Sequence, residues 1–214
     1  MALNEIACRH LAGHIKGKVL CLGVPAVLLD DETYREIFGF WPRRKVKAPE
    51  WSRLKETPDP YDLIEQIGAE LTCVDAIAHD GREVIADLNY PHDLGEFDLV
   101  IDAGTTEHCF NVGQAIVNSS NAVKVGGQIL HTNPVSMGNH AFYNFCPTLM
   151  WDFYKANGFK VVGCELRDKS GAGQVVPHDS EARFPLGNNW AMYFMAKRLE
   201  RKPLVYPIQG KYRS

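Results

Sequence analysis

The sequence contains no Gly-x-Gly-x-x-Gly run and no Walker sequence, so a pyrophosphate cradle of backbone amides at a helix start is not expected. No apolar run approaches the ~20 residues that span a bilayer. The opening residues, Met1 to His10, lack the charged-then-apolar layout of a signal peptide, and a cytoplasmic location is the expectation. Positive charge is not in excess: 23 Lys and Arg against 26 Asp and Glu give a net charge of −3. A protein built around binding nucleic acid or an anionic membrane is therefore not expected. The six cysteines show no Cys-x-x-Cys pair, which leaves a zinc or redox site without support. Cys21, Cys73 and Cys164 sit in apolar runs, as buried thiols do. Around His131 and His140 no His-x-x-x-His or carboxylate spacing points to a metal, and none is expected.

What is present is an ordinary globular composition, 45% hydrophobic, 10% aromatic and 23% charged in 214 residues, enough for one domain with a large core. No internal repeat and no linker divides it. Apolar runs at Lys18–Val24, Glu70–Asp75, Glu83–Asp87, Phe97–Asp102, Gly127–His131, Lys160–Glu165 and Trp190–Ala196 are predicted strands. Several are apolar throughout, as strands covered on both faces are. Helices are predicted between them, over Pro60–Ile67 ending at Gly68, Asn111–Val125, and Pro147–Asn157 with Gly158 beyond. The alternation predicts an α/β Rossmann-like sandwich of three layers: a mostly parallel seven-stranded sheet with helices on both faces. A single domain over 1–214 is expected, with an inserted segment at about 30–60 and a lid-like loop at about 168–189. Ligands of such sheets bind outside the carboxyl ends of the strands, so the chemistry is sought just after each strand.

Asp75 closes the second run, where a carboxylate can accept from both hydroxyls of a ribose; an aspartate starting a turn would look the same. Asp87 and Asn89 follow the third run, placed for an adenine amine or for a simple turn before Pro91. After the fourth run comes Asp102-Ala-Gly-Thr-Thr-Glu-His108, in which Gly104 lets a ligand approach the backbone. Glu107 and His108 add polar groups, although an acidic residue at a helix start is also favoured by the helix dipole. His131, His140, Tyr143 and Asn144 lie in a polar stretch after the fifth run, as substrate contacts do. His140 titrates in the range suited to proton transfer, and a structural role is the alternative. Arg43, Arg44, Lys45 and Lys47, with Trp41 and Trp51, form a basic-aromatic run that would grip an anion or simply be a solvated loop.

Phe97-Asp-Leu-Val-Ile-Asp-Ala-Gly-Thr-Thr-Glu-His-Cys-Phe-Asn111, followed by a helix and Val123-Lys-Val-Gly-Gly-Gln-Ile-Leu-His131, resembles the class I S-adenosylmethionine-dependent methyltransferases. Val19-Leu-Cys-Leu-Gly23 is similar to the family's first-strand motif, Val74-Asp75 to the acidic end of its second strand, and Asp87 to its acidic residue near the adenine. The resemblance implies S-adenosylmethionine as cofactor, held by Gly23, Asp75, Asp87, Asp102 and Gly104. It implies a small-molecule substrate, a sugar or nucleotide-linked sugar, contacted by Glu107, His131, Tyr143 and Asn144. His140 or His108 is the implied base for an in-line methyl transfer. A homo-oligomer is compatible with this. Cys21 replaces the usual acidic residue, and Val24-Pro25 replace the rest of the glycine-containing loop. The alternative is therefore a catalytically inactive relative that binds a partner chain. A nicotinamide-linked oxidoreductase would need the glycine-rich first turn that is missing.

Overall fold

The computed structural model describes residues 1–168, 173–176, 183 and 185–212. In chain order the elements are β1 (Ala2–Leu3), α1 (Glu5–Leu11), β2 (Lys18–Leu22), β3 (Ala26–Val27), α2 (Asp31–Phe38), β4 (Lys45–Lys47), β5 (Glu56–Pro58), α3 (Pro60–Gln66), β6 (Glu70–Asp75), β7 (Val84–Ile85) and β8 (Phe97–Asp102). A 3-10 turn at Thr106–His108 follows, then α4 (Val112–Asn121), β9 (Val123–Pro134), α5 (Pro147–Ala156), β10 (Phe159–Arg167), β11 (Gly173–Val175) and β12 (Ala191–Arg198).

The main sheet has the order β11-β10-β12-β9-β8-β2-β6-β7. Pairing is parallel from β7 through β9 and antiparallel at β12 and β11. The expected mostly parallel sheet is present, with β11 added at one edge. Its strands are apolar throughout because alternate residues feed two cores. In β2, Leu20 and Leu22 join the layer containing Ile116 of α4 and Met150 and Tyr154 of α5. Val19 and Cys21 join the layer containing Cys8 and Leu11 of α1, Tyr34 of α2 and Leu63 of α3. Five of the six cysteines are buried and all are free, with Cys146 the exposed one. Among the described residues, no helix is long and apolar enough to cross a membrane.

Local signals set the helices. Asn4 caps α1 by accepting from the Ala7 amide at 2.9 Å, and Asp30 caps α2 through Thr33 at 2.8 Å. Asp59 and Pro60 open α3. The turn into β9 needs glycine: Gly126 has φ 84°, and a Cβ on Gly127 would lie 2.9 Å from the Phe97 carbonyl oxygen. Several boundaries differ from the sequence expectation. Only Val84–Ile85 of the third run forms a strand, because Glu83 turns inward to accept amides of the preceding loop, from His79 among others. β9 runs on to Pro134, and β12 spans Ala191–Arg198.

The 30–60 segment is α2 followed by the antiparallel β4–β5 pair. Three cations of its basic run are paired with carboxylates of α2 and α3. Arg43 Nε donates to Asp62 Oδ1 at 2.9 Å, Arg44 to Glu65 at 2.9 Å and Lys45 to Asp31 at 2.6 Å. These charges are spent on α2 and α3, and of the two tryptophans only Trp51 reaches a cavity at the sheet rim. The lid expected over 168–189 falls largely outside the described residues.

Leu99, fully buried in the sheet centre, gives the core its simplest test. Leu99→Ala is expected to lower unfolding free energy by ~2–5 kcal/mol in urea denaturation. Val162→Ala, at a half-exposed position, is expected to stay within ~0.5 kcal/mol of the parent.

Candidate functional site

Parallel pairing aligns the strand ends. Leu22 lies opposite both Val74 and Asp102, and Asp102 opposite His131. The segments that follow β2, β6, β8 and β9 therefore gather on one rim, the ligand edge of an α/β sheet.

The turn after β8 is organised from below by Asp102, which has no solvent exposure. Its Oδ1 accepts from the amides of Thr105 and Thr106 at 2.9 and 3.2 Å. Its Oδ2 accepts from the Thr106 hydroxyl at 2.5 Å and the Asn133 amide at 3.0 Å, and lies 2.8 Å from His131 Nδ1. His131 Nε2 in turn lies 2.6 Å from the Tyr154 hydroxyl. Burial alone would raise the Asp102 carboxyl, but the bonds and charge of His131, with Thr106 and Asn133, outweigh it and hold the group at about 2.

Asn133 links this hub to the next carboxyl. Its amide also donates to Glu107 Oε2 at 3.0 Å. Glu107 is 1% exposed, and burial followed by the nearby Asp102 charge raises it to about 8. Its Oε1 sits over Gly104, where a Cβ would lie 3.1 Å away. Gly104 has φ 82°, a conformation that glycine adopts without strain. His140 Nε2 is 4.0 Å from that same oxygen, and the His108 and His140 rings are 5.4 Å apart. Burial, His140 and the Met1 α-amine lower the His108 imidazole.

Two cavities open on the rim. The smaller, about 270 Å³, is lined by Asp75, Ala76, Ala86, Asp87 and Asn89 among others. The larger, about 570 Å³, is lined by Gly104, Glu107, His140, Trp51, Asn133 and Tyr193 among others. Met1 and His108 line both.

The structure thus brings Asp75 and Asp87 together at one cavity and Gly104, Glu107, His108 and His140 at the other. It does not bring five other expected residues to either. Asp102 is no ligand contact; it is sealed beneath the turn. His131 is no substrate contact either, being held in the core between Asp102 and Tyr154. Tyr143 donates its hydroxyl to the Phe110 carbonyl at 2.8 Å. Asn144 braces its own loop, accepting from the Met137 amide at 2.8 Å. Gly23 has φ 78° and donates its N–H to the Val74 carbonyl at 2.6 Å. It lies under Met1, whose thioether a Cβ at this position would strike. Glu107 belongs to a 3-10 turn, with α4 starting at Val112, so the helix dipole does not explain it.

Sequence reasoning missed Asn133 and Met1. Asn133 was within reach, since it shares a strand face with His131 two residues earlier. Met1 carries no motif: β1 pairs with β3, and the Ala2 amide donates to the Ala103 carbonyl at 3.1 Å, which lays the segment across the rim.

No family model matches the sequence, and no curated protein does. Solved structures do match. A SAM-dependent methyltransferase from Archaeoglobus fulgidus superposes with a TM-score of 0.52 at 12% identity, over 91% of this chain and 92% of that one. The 1,6-didemethyltoxoflavin-N1-methyltransferase of Burkholderia thailandensis, with bound 1,6-didemethyltoxoflavin and S-adenosylhomocysteine, gives 0.52 at 15% identity over 92% and 78%. TehB from Haemophilus influenzae gives 0.51 at 13% identity, over 89% of this chain but only 61% of its own length. This chain has the class I methyltransferase fold. Within that fold, the reversed β12 lies between β9 and β10, and the two cavities lie on the side where the parallel strands end.

Asp102 supplies the test of this site's foundation. Its carboxyl sits below the ordinary ~3.9 of an aspartate, so its stabilisation is present above ~4 and lost as pH falls toward 2. Asp102→Asn is expected to cost ~3–5 kcal/mol at neutral pH, the effect of breaking a buried pair. In urea unfolding the gap from the parent is expected to narrow steadily from pH ~4 to ~2.

Proposed function

We propose that this protein is an S-adenosylmethionine-dependent methyltransferase acting on a small molecule, with a sugar or nucleotide-linked sugar as the acceptor class. The observation that carries this reading is the pair of adjoining cavities at the carboxyl rim, one beside Asp75 and Asp87 and the other beside Glu107 and His140, meeting at His108.

The residues present fit the nucleoside end of the cofactor. Asp75 stands at the end of β6 with an oxygen 2.9 Å from His79 Nε2, and its carboxylate can accept ribose hydroxyls. Ala76 and Ala86 leave room for a flat ring, and Asp87 or Asn89 can accept from an exocyclic amine. At the other end, Gly23 and Gly104 supply the side-chain-free surface that a close backbone approach needs. The Met1 side chain now covers Gly23, and its unbranched thioether must swing aside. When bound, S-adenosylmethionine supplies a methyl group on a sulfonium, already a good leaving group.

The chain's own task is alignment, water exclusion and proton uptake. Trp51, Tyr193 and Met137 wall the larger cavity. His108, at the junction, and His140, beside it, present imidazoles able to take the proton that an acceptor hydroxyl or amine releases. With Arg43, Arg44 and Lys45 paired to α2 and α3, the acceptor is bound by the polar lining of the larger cavity, Asn4, Glu107 and Asn133.

A second reading, an inactive relative that binds a partner chain, is favoured by Met1 lying over Gly23 and by Cys21 in place of an acidic residue. Calorimetry separates the two. Saturable binding of S-adenosylmethionine or S-adenosylhomocysteine is expected, weakened about tenfold or more by Asp75→Ala, the usual effect of removing hydrogen bonds to a charged group. Absence of binding at millimolar cofactor would leave the partner-binding reading in its place.

A further inference from the structure

Glu107, His108 and His140 each offer one ligand atom, a carboxylate oxygen or an imidazole nitrogen, and these atoms all lie within 4.8 Å of one another. Among the described residues this is the one group of three or more His, Cys, Asp or Glu side chains gathered so closely. No spacing in the sequence announces it, since two donors are adjacent and the third comes from the loop after β9.

We propose that these three side chains bind a divalent transition-metal ion whose remaining coordination positions face the 570 Å³ cavity.

The donor set is two imidazoles and one carboxylate. Imidazole suits zinc, iron, cobalt and nickel, whereas magnesium and calcium take all-oxygen sets. Three protein ligands leave a position open, the arrangement found where a metal meets a small molecule rather than holding a fold together. Glu107 is positioned from behind as a metal-binding carboxylate should be. Its Oε2 is held by Asn133, which is anchored on Asp102, and its Oε1 is left toward His140. Among the described residues, no lysine or arginine pairs with Glu107, although it is 1% exposed and near a second buried carboxylate. A metal ion entering the cavity would displace the proton of this buried acid and pair with the carboxylate left behind. Met1 lines the same cavity as the three donors, so an ion bound there would share that space with its side chain.

Metal–nitrogen and metal–oxygen bonds of ~2.0–2.2 Å require the donors to close by ~1 Å from their present spread. His140 has room to do so. It is 47% exposed at its side chain and follows Asn139, which has φ 57°. The ion's open positions would take an oxygen or nitrogen of the acceptor and make its proton more acidic, replacing the proton uptake by His108 and His140, whose ligand nitrogens the metal would occupy; that part alone rests on the proposed methyl transfer, and the metal site itself does not.

The test uses the full chain, stripped with chelator and free of cofactor. Zn²⁺ is titrated calorimetrically and Co²⁺ by its visible absorption. One equivalent is expected to bind. Glu107→Gln, His108→Ala and His140→Ala are each expected to weaken it at least tenfold, and Asn133→Ala by ~10–100-fold. Cys146→Ser, an exposed control, is expected to leave it unchanged. Thermal unfolding separates lost binding from lost fold, and His140→Ala, an exposed loop change, keeps the test decisive if Glu107→Gln fails to fold. No binding of either ion overturns the site, as does binding that survives His108→Ala and His140→Ala or disappears in Cys146→Ser. Metal binding without cofactor binding would uphold the site and defeat the methyl-transfer reading; the converse would do the reverse.

Discussion

A carboxylate sealed from water governs this molecule's rim. Asp102 ends β8 in the middle of the sheet and carries five contacts, from two backbone amides, a hydroxyl, an imidazole and a side-chain amide. A charge at that depth is tolerated only when its lone pairs are filled. Filling them bends the chain into the 3-10 turn and engages the side chain of Asn133 on β9. That in turn settles where Glu107 points. The polar floor of the larger cavity is thus a consequence of satisfying one buried aspartate, and side chains that never meet a ligand decide the placement of those that can.

The fold was largely legible because its strands are covered on both faces. Runs such as Val19–Leu22 and Leu99–Ile101 stay apolar without alternation, and few other architectures bury both sides of a short strand. The segments that escaped notice were too short to show periodicity. α1 spans Glu5–Leu11, and β1 and β3 have two residues each, so the cap at Asn4 was the available signal.

The site was legible in residue type and poorly legible in depth. Sequence order places Asp102, Glu107, His108 and His131 near one rim, and they are there. It does not say which lie under the floor and which line it. His131 and Asp102 satisfy each other and vanish into the core. Of the polar residues on the right loop, Asn144 spends its hydrogen bonds on that loop's own backbone and Tyr143 donates to the Phe110 carbonyl of the neighbouring segment. Likewise the basic run at Arg43–Lys45 is neutralised by carboxylates on α2 and α3, whose positions depend on tertiary packing. Met1 had no local signature, because its place over Gly23 follows from the pairing of β1 with β3.

The two ends of the rim differ in readiness. The cavity beside Asp75 is open as it stands, while the approach to Gly23 is covered by a single flexible side chain. A structure determined with S-adenosylhomocysteine tests the central claim most directly. The account predicts the nucleoside in the cavity between Asp75 and Asn89, with the ribose hydroxyls on the Asp75 carboxylate and Met1 displaced from Gly23. Ligand bound elsewhere, or a rim that stays closed by Met1 in saturating ligand, would contradict it.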